Sequence, residues 1–256
     1  MSPNTWPAEA IWEQVYPLLP DFTVEILPEI DSTNSELMRR ARAGQTEPTL
    51  LVAERQTAGR GRLGRPWQSA AGDSLTFSLG LPFAPKDWSG LSLAVGLAVA
   101  ESLHPDIGLK WPNDLWWQDR KLAGILIEAA TAGGHSQVVI GIGINIRPRP
   151  AEGLSTPPAA LTELWPEATA GAALLRLMPT LVRTLQDFEQ QGFAPLQARF
   201  EARDVLRGRE VHTSDGQSGR ALGVGPTGAL RWLHAGGEQL IDSSEVSVRP
   251  RQPNAN

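Results

Sequence analysis

The chain has 256 residues, a formal net charge of −5 at pH 7, and 41% hydrophobic and 20% charged residues, which is typical of a soluble globular protein with one or two domains. The absence of cysteine excludes disulfide bonds, thiolate catalysis and cysteine-ligated metal sites, and the negative charge argues against a protein that coats nucleic acid. Residues 1–10 lack the features of a secretory signal and no apolar run is long enough to span a bilayer, so we expect a cytoplasmic protein without membrane contact.

The first hundred residues alternate between helical and strand patterns. Residues 11–19 and 90–103 are predicted to form helices, and the second of these is expected to be buried because it is almost uniformly apolar. Residues 50–53 and 75–81 are predicted to form strands. This alternation indicates a fold that combines a sheet with packed helices.

A further helix is predicted to begin in the polar run at residues 31–35. Thr33 is followed three residues later by Glu36, which is the spacing of a capping box, and Gly44 is expected to end the helix. Capping alone explains most runs of this kind. Three consecutive small hydrogen-bonding side chains exceed what one cap uses, so a functional role stays open.

The segment TAGRGRLGRPW at residues 57–67, called here the glycine-arginine loop, holds three arginines, three glycines and no acidic residue. Glycines allow successive backbone N–H groups to point into one concavity, and arginines add planar cations suited to phosphate or carboxylate. The segment also fits Gly-x-Gly-x-x-Gly. However, the preceding strand ends too early for a dinucleotide-binding turn, and Pro66 stands where the helix should run. We therefore predict an anion-binding loop.

The chain then forms a predicted antiparallel meander with tight turns. Its strands are predicted at residues 108–111, 115–117, 121–130 and 136–146. In the last strand, the isoleucines from Ile140 to Ile146 share one face, which we assign to the core. The other face carries Gly141, Gly143 and Asn145, which leaves room either for a flat ligand or for another backbone.

After a proline-rich segment at residues 147–158, called here the proline loop, the pattern changes twice. Helices are predicted at residues 172–191, with Pro179 as a candidate interruption, and at residues 194–203. Short strands are predicted at residues 210–213, 220–224, 230–234, 238–241 and 245–248, which is typical of a small β-barrel. We place a domain boundary near residue 205, giving domains 1–205 and 206–256.

Five motifs, in this order, resemble those of the biotin protein ligases. They are Asp31-Ser-Thr-Asn34, Gln56-x-x-Gly-Arg-Gly-Arg62-x-Gly-Arg-x-Trp67, Lys110-Trp-Pro-Asn-Asp114, Lys121-Leu-Ala-Gly-Ile125 and Gly141-Ile-Gly-Ile-Asn145. The resemblance implies an α+β fold: a catalytic domain like that of class II aminoacyl-tRNA synthetases, with a mixed sheet and helices, plus a small C-terminal SH3-like β-barrel. It implies that biotin and ATP, with Mg²⁺, give biotinoyl-5′-AMP, and that the biotinoyl group passes to one lysine of a biotin carboxyl carrier protein, such as that of acetyl-CoA carboxylase.

The resemblance also implies roles for individual residues. Biotin is expected to contact Ser32, Thr33, Asn34, Gln56, Arg60, Gly61, Arg62 and Lys121, the first four at its ureido end and the last at its carboxyl group. ATP or the adenylate is expected to contact Arg62, Arg65, Trp67, Asn113, Asn145 and Arg249. The expected catalytic residues are Lys121, Arg62 and Asp114, of which Asp114 would orient or deprotonate the carrier lysine. No metal ligand is firmly assigned.

Two further expectations concern partners and motion. The segment before the core, about thirty residues, is too short for the DNA-binding domain of bifunctional relatives, so we expect a monofunctional ligase that does not bind DNA. The glycine face of the last meander strand could serve a homodimer as well as a ligand. The glycine-arginine loop is expected to be open in the free protein and to close on biotin or the adenylate.

Two alternatives stay open. A lipoate-type protein ligase would share the fold and the adenylation chemistry, although the Gly-Arg repeats and Lys-Trp-Pro-Asn-Asp resemble the biotin enzymes more closely. A non-enzymatic, biotin-responsive binding or regulatory protein would be recognised by the loss of ATP binding.

Overall fold

The computed structural model describes residues 6–132, 134–154, 156–214, 216–242 and 248–250. The helices are α1 (Ala8–Val15), α2 (Thr33–Arg42), α3 (Leu91–Leu103), α4 (Ala170–Gln191) and α5 (Gln197–Glu201). The strands are β1 (Thr23–Ile30), β2 (Thr49–Gln56), β3 (Ser74–Pro82), β4 (Gly108–Lys110), β5 (Asp114–Trp117), β6 (Arg120–Ala132), β7 (His135–Asn145), β8 (Glu210–Thr213), β9 (Ser218–Val224), β10 (Leu230–His234), β11 (Gly237–Ile241) and β12 (Val248–Pro250). Within these ranges, no helix combines the length and apolar character needed to cross a membrane.

The larger sheet has seven strands in the order β1-β2-β3-β7-β6-β5-β4. β1 pairs with β2 in parallel, whereas the other neighbours pair antiparallel, so the sheet is mixed. The predicted meander corresponds to β4 to β7, whose strands lie beside one another in chain order because tight turns join them. Together with the helices, this sheet confirms the predicted α+β fold.

The two faces of this sheet differ in chemistry. Ile140, Ile142 and Ile144 are almost fully buried in the main core with residues of α3 and α4, which confirms the predicted isoleucine face. On the opposite face, the N-terminal end of α2 lies so close to β7 that a Cβ atom at Gly141 would overlap Asn34 Oδ1. The glycine face thus carries the parts of the chain that border the candidate site.

The smaller sheet is antiparallel, with the order β11-β10-β9-β8-β12. Its buried Leu230 and Trp232 belong to the same apolar core as the larger sheet, and Trp111 Nε1 donates a hydrogen bond to the Gly228 carbonyl oxygen at 3.0 Å. Among the described residues, β11 and β12 are the two edges of the order. Closure into a barrel therefore stays a prediction, as does the domain boundary near residue 205.

The beginning of α2 differs by one residue from the prediction. Ser32 has extended backbone angles and its Oγ accepts the Ser35 N–H at 3.3 Å, so Ser32 is the N-cap and Thr33 is the first helical residue. Glu36 therefore does not complete a capping box with Thr33. It accepts hydrogen bonds from Arg39 and Arg40 instead. This shift leaves the Thr33 side chain available for other contacts.

Other departures have physical causes. β1 was not predicted, because its side chains are mostly half-buried and show no clear alternation. Helix α4 continues through Pro179, because apolar residues on both sides of the proline are fully buried and hold the helix by packing. The predicted helix at 194–203 is a 3-10 turn with a proline in its first turn, followed by the short α5. Of the predicted strand 245–248, only Val248 lies within the described residues.

Candidate active site

A cavity of about 820 Å³ opens above the glycine face, between the N-terminus of α2, the glycine-arginine loop, the proline loop and the smaller sheet. Nearly all residues assigned from the sequence line it. They are Ser32, Thr33, Asn34, Gln56, Arg60, Gly61, Arg62, Arg65, Trp67, Asn113, Asp114, Lys121 and Arg249. The exception is Asn145, which is buried and does not line the cavity. Segments that are far apart in sequence therefore converge on one site.

One end of the cavity is neutral and rich in hydrogen-bonding groups. The Thr33 backbone N–H donates to Gln56 Oε1 at 2.7 Å, and the Thr33 and Asn34 side chains both contact the hydroxyl of Ser78. Ser32, Thr33 and Asn34 are buried, and Ser78 is fully buried. Ser78 was not among the predicted site residues. The alternation of Ser74, Thr76 and Ser78 with apolar residues in β3 was the available signal.

The glycine-arginine loop folds back on itself and does not open an α-helix. The Gly61 N–H donates to the Arg65 carbonyl oxygen at 2.7 Å and the Trp67 N–H to that of Gly59 at 2.9 Å. Only residues 62–64 form a single 3-10 turn, with Leu63 at φ 57°. This geometry differs from a dinucleotide-binding turn, in which the glycines lead directly into a long helix.

Arg60 connects this loop to the sheet. Its guanidinium donates to the Glu128 carboxylate at 3.0 and 3.2 Å and to Ser35 Oγ at 3.2 Å. Asn34 Nδ2 donates to the same carboxylate at 3.0 Å. Glu128, the single acidic residue in the apolar strand β6, was missed by the sequence reasoning, because its partners lie far away along the chain.

Trp67 forms part of the cavity floor. It lies directly on the glycine face, since a Cβ atom at Gly143 would overlap the indole ring and would lie 2.8 Å from its Nε1. The Arg149 guanidinium lies 5.5 Å from the ring centroid and donates to the Gln68 carbonyl oxygen at 3.2 Å. Burial lowers the pKa of Arg149. Arg149, in the proline loop, was another residue that the sequence analysis left unassigned.

The other end of the cavity contains a compact charged cluster. Lys121 Nζ lies 2.7 Å from Asp114 Oδ1, and Lys110 Nζ lies 3.9 Å from Asp114 Oδ2. Burial lowers the pKa of Lys110 to about 8, opposed by Asp114 and supported by the positive charges of Lys121, Arg249 and Arg65. Burial also lowers the pKa of Arg62, against the attraction of Asp114. This end is a concentration of cations around one carboxylate, suited to an anionic ligand.

The two asparagines have mainly structural contacts. Asn113 Nδ2 donates to the Ile125 carbonyl oxygen at 2.8 Å, and Asn145 Nδ2 donates to those of Lys121 and Ala159 at 3.1 and 3.0 Å. Asn145 is 1% exposed, and within the described part of the chain its Oδ1 has no partner. A nucleotide contact of Asn145 stays a prediction, and it would require access to this buried oxygen.

The oxygen donors of the cavity fit a metal that is held mainly by its substrate. The described residues contain no cluster of three or more His, Asp or Glu side chains. Mg²⁺ commonly binds through substrate phosphates and only one or two protein oxygens. Asn113 lines the cavity, and because its amide nitrogen is engaged, its Oδ1 is the side-chain atom left as a candidate for such a contact.

Comparison with known proteins agrees with this site. Residues 26–145 match the model of the "Biotin/lipoate A/B protein ligase family". The chain is 38% identical to the bifunctional ligase/repressor BirA of Escherichia coli (strain K12), over 93% of this chain and 77% of that protein. It is 34% identical to a biotin--[acetyl-CoA-carboxylase] ligase of Mycobacterium tuberculosis, with 89% of each chain covered.

Solved structures give the same result. The structure of the biotin protein ligase from Aquifex aeolicus in complex with biotin and ATP matches with a TM-score of 0.77 and 30% identity, over 89% of this chain and 99% of that chain. The fold, the converging motifs and the relatives all indicate the same family. The chain belongs to the biotin/lipoate A/B protein ligase family and, within it, to the biotin protein ligases.

Proposed function

We infer that the chain is an ATP-dependent biotin protein ligase, which joins biotin to AMP and transfers the biotinoyl group to a lysine of a biotin carboxyl carrier protein. Relatives that share most of its length carry the name biotin--[acetyl-CoA-carboxylase] ligase, and a structural neighbour holds biotin and ATP. The observation that supports this function most strongly is the two-ended cavity. A neutral hydrogen-bonding end suits a cyclic urea, and a cationic end suits a carboxylate and phosphates.

In the first step, a biotin carboxylate oxygen attacks the α-phosphorus of ATP, and pyrophosphate leaves. The reaction brings two anions together, so cations must offset the charge that accumulates. We assign this role to Lys121 at the biotin carboxyl group and to Arg62 and Arg65 at the phosphates, all of which line the cavity. Mg²⁺ bound with ATP supplies further charge neutralisation.

In the second step, the amine of the carrier lysine attacks the carbonyl carbon of biotinoyl-5′-AMP, an amide bond forms, AMP leaves, and the nitrogen gives up one proton to Asp114 or to water. The attacking amine must be neutral and must point at that carbon. Asp114 faces the cavity at its cationic end, where it also holds Lys121 and Lys110. We therefore assign to Asp114 the orientation of the incoming lysine, with Lys121 fixed beside it.

The nucleotide is assigned to the part of the cavity between Trp67 and the smaller sheet. Trp67 presents a flat aromatic surface on the glycine face, and Arg249 brings a positive charge from β12. Arg149 lies over the same indole ring, so we add it to the residues that border the nucleotide. Asn113 belongs to this group through its remaining amide oxygen.

Biotin-dependent exchange of pyrophosphate into ATP tests the first step without a carrier protein. Wild type should exchange with biotin and not with lipoate. Lys121→Ala should remove a cation from the reacting carboxyl group and slow exchange by about a hundredfold or more, the scale seen when one electrostatic group is lost. Lys86→Ala is the matched control, because Lys86 is exposed and does not line the cavity. Exchange with lipoate instead of biotin would support the lipoate-type alternative.

A further inference from the structure

A line of polar side chains, of which all but Glu128 are buried, runs from β6 through α2 and β3. Ser78 Oγ lies 2.6 Å from Asn34 Oδ1 and 2.7 Å from Thr33 Oγ1. Asn34 Nδ2 donates to the Glu128 carboxylate at 3.0 Å and to the Leu126 carbonyl oxygen at 3.2 Å. Four side chains therefore form one hydrogen-bonded series, from Glu128 through Asn34 and Ser78 to Thr33.

The chemistry of these groups fixes the position of each proton. Glu128 and the Leu126 carbonyl group can only accept, so the amide nitrogen of Asn34 faces them and its oxygen faces Ser78. Because an amide oxygen cannot donate, the Ser78 hydroxyl must donate to Asn34. A hydroxyl group has a single proton. The short contact between Ser78 and Thr33 therefore needs the proton of Thr33.

The consequence appears at the cavity wall. Thr33 Oγ1 also lies 3.1 Å from Gln56 Oε1, but the contact with Ser78 is shorter and takes its proton. The Thr33 hydroxyl can then offer only lone pairs to a ligand. Gln56 Oε1 already accepts the Thr33 backbone N–H at 2.7 Å, so its Nε2 remains as the donor. The wall thus presents one fixed acceptor and one fixed donor.

We propose that Ser78 and Glu128 are positioning residues that set this hydrogen-bond polarity, so that Thr33 Oγ1 accepts an N–H group of the bound ligand. The proposal rests on the proposed function, since the cyclic urea of biotin carries N–H donors and a carbonyl acceptor. A dithiolane ring carries neither and would leave both wall groups unpaired. Unpaired buried polar groups disfavour binding, so the polarity selects for a urea.

Each member of the series is needed for a different reason. Glu128 carries the charge that orients the Asn34 amide, and Arg60 holds the same carboxylate from the other side. Ser78, fully buried on β3, passes this orientation to Thr33. Gly141 allows the approach, because a Cβ atom there would overlap Asn34 Oδ1. Without Ser78, the Thr33 hydroxyl is free to turn its proton toward Gln56 or the ligand.

The test compares Ser78→Ala with wild type by calorimetric titration of biotin and of the two biotins that carry one methyl group on a ureido nitrogen. Wild type should reject at least one methylated biotin. We compare the dissociation constant of the rejected methylated biotin with that of biotin. In Ser78→Ala the ratio of the first constant to the second should fall by about tenfold, the value of one satisfied hydrogen bond in a buried site. KM for biotin should rise, while kcat for pyrophosphate exchange stays within about twofold because the carboxyl end is unchanged.

Ser102→Ala is the matched control, because Ser102 is also buried but donates to the Ala98 carbonyl oxygen within α3. It should leave the ratio unchanged. Arg60→Ala, which removes the other partner of Glu128, should weaken binding of all three ligands alike. A folded Ser78→Ala protein that keeps the wild-type ratio overturns the proposal.

If Ser78→Ala does not fold, Ser78→Cys takes its place, since it keeps the side-chain shape and a thiol is only a weak hydrogen-bond donor and acceptor. The same fall in the ratio is expected, and an unchanged ratio overturns the proposal. Failure of the proposed function gives a different result: wild type then binds none of the three ligands. If wild type binds biotin and the variants keep the wild-type ratio of dissociation constants, only the proposal about hydrogen-bond polarity is contradicted.

Discussion

At the scale of single residues, two glycines of β7 determine what can lie on the floor of the cavity. Gly141 admits the Asn34 side chain and Gly143 admits the Trp67 ring, and a Cβ atom at either position would overlap its neighbour. Their alternation with buried isoleucines lets one strand form the core on one side and the site on the other. Side chains of the same protein occupy this face and border the ligand cavity.

Gly143→Ala tests this role of the cavity floor. The added methyl group should displace Trp67 and raise KM for ATP by about tenfold or more, with a loss of stability of roughly 1–3 kcal/mol for overpacking. Steady-state kinetics and urea unfolding measure the two effects. Gly225→Ala is the control, since a Cβ atom there makes only contacts of 3.8 and 3.9 Å. An unchanged KM for ATP in Gly143→Ala would remove Trp67 from the nucleotide site.

Asp204, which pairs with Leu109 in an isolated bridge next to β4, should make stability depend on pH. Burial raises the pKa of its carboxyl group to about 6, opposed by the backbone N–H groups of Leu206 and Arg207, and within the described residues its Oδ2 has no hydrogen-bond partner. The folded state therefore holds a proton that the unfolded state releases. Wild-type stability should fall as pH rises from about 4 to about 6 because of this group.

Asp204→Asn should remove this effect, because an amide oxygen can still accept the Leu206 N–H. The variant should gain on the order of 1–3 kcal/mol over wild type at about pH 7 and much less at about pH 4, as measured by urea unfolding. Asp87→Asn is the control, since Asp87 is exposed and accepts one backbone N–H from Ser89. A gain of equal size at both pH values would contradict the assignment.

At the scale of elements, the glycine-arginine loop closes one side of the cavity with few interactions. Its backbone makes three internal hydrogen bonds, from Gly61 to Arg65, from Arg65 to Arg62 and from Trp67 to Gly59, and Arg60 pairs with Glu128. The side chains of this ion pair are 44% and 25% exposed, so the pair contributes roughly 0–1 kcal/mol, too little to hold the loop closed by itself. Most of the stabilisation of the closed form is therefore expected from an anionic ligand.

Hydrogen exchange should show this dependence. Amides of residues 59–67 should exchange at least about tenfold more slowly with biotinoyl-5′-AMP than in the free protein, because closure shields them from water. Amides in the buried helix α3 provide the internal control and should not change. Equal exchange rates in the loop with and without the adenylate would contradict ligand-dependent closure.

Local patterns predicted most elements, because glycine spacing, turn residues and strand alternation are local signals. Most lining residues of the cavity were expected from the resemblance of five motifs to those of the biotin protein ligases. They did not reveal Ser78, Glu128 or Arg149, whose partners are distant in the sequence. Lys110 belongs to one of the five motifs, but its lowered pKa follows from its burial, which the sequence does not reveal. The N-cap at Ser32 was missed by one residue, since neighbouring Ser and Thr residues have similar capping propensity.

At the scale of the whole molecule, the two sheets form one structural unit around the site. Their apolar residues belong to one core, and the ion pair of Arg209 with Asp119 links the smaller sheet to the turn before β6. Arg209 and Arg249 both line the cavity. We therefore expect the C-terminal segment to take part in nucleotide binding. The predicted boundary near residue 205 would then separate units that share one site.

The function inferred for this cavity is to activate biotin and to transfer it to another protein. The most direct measurement is the mass of an intact biotin carboxyl carrier domain after incubation with the protein, biotin and MgATP. We expect the mass to increase by one biotinoyl group on one lysine, and this increase should require ATP and be lost with Lys121→Ala. An unchanged mass, with a carrier that an established biotin ligase does modify, would contradict it.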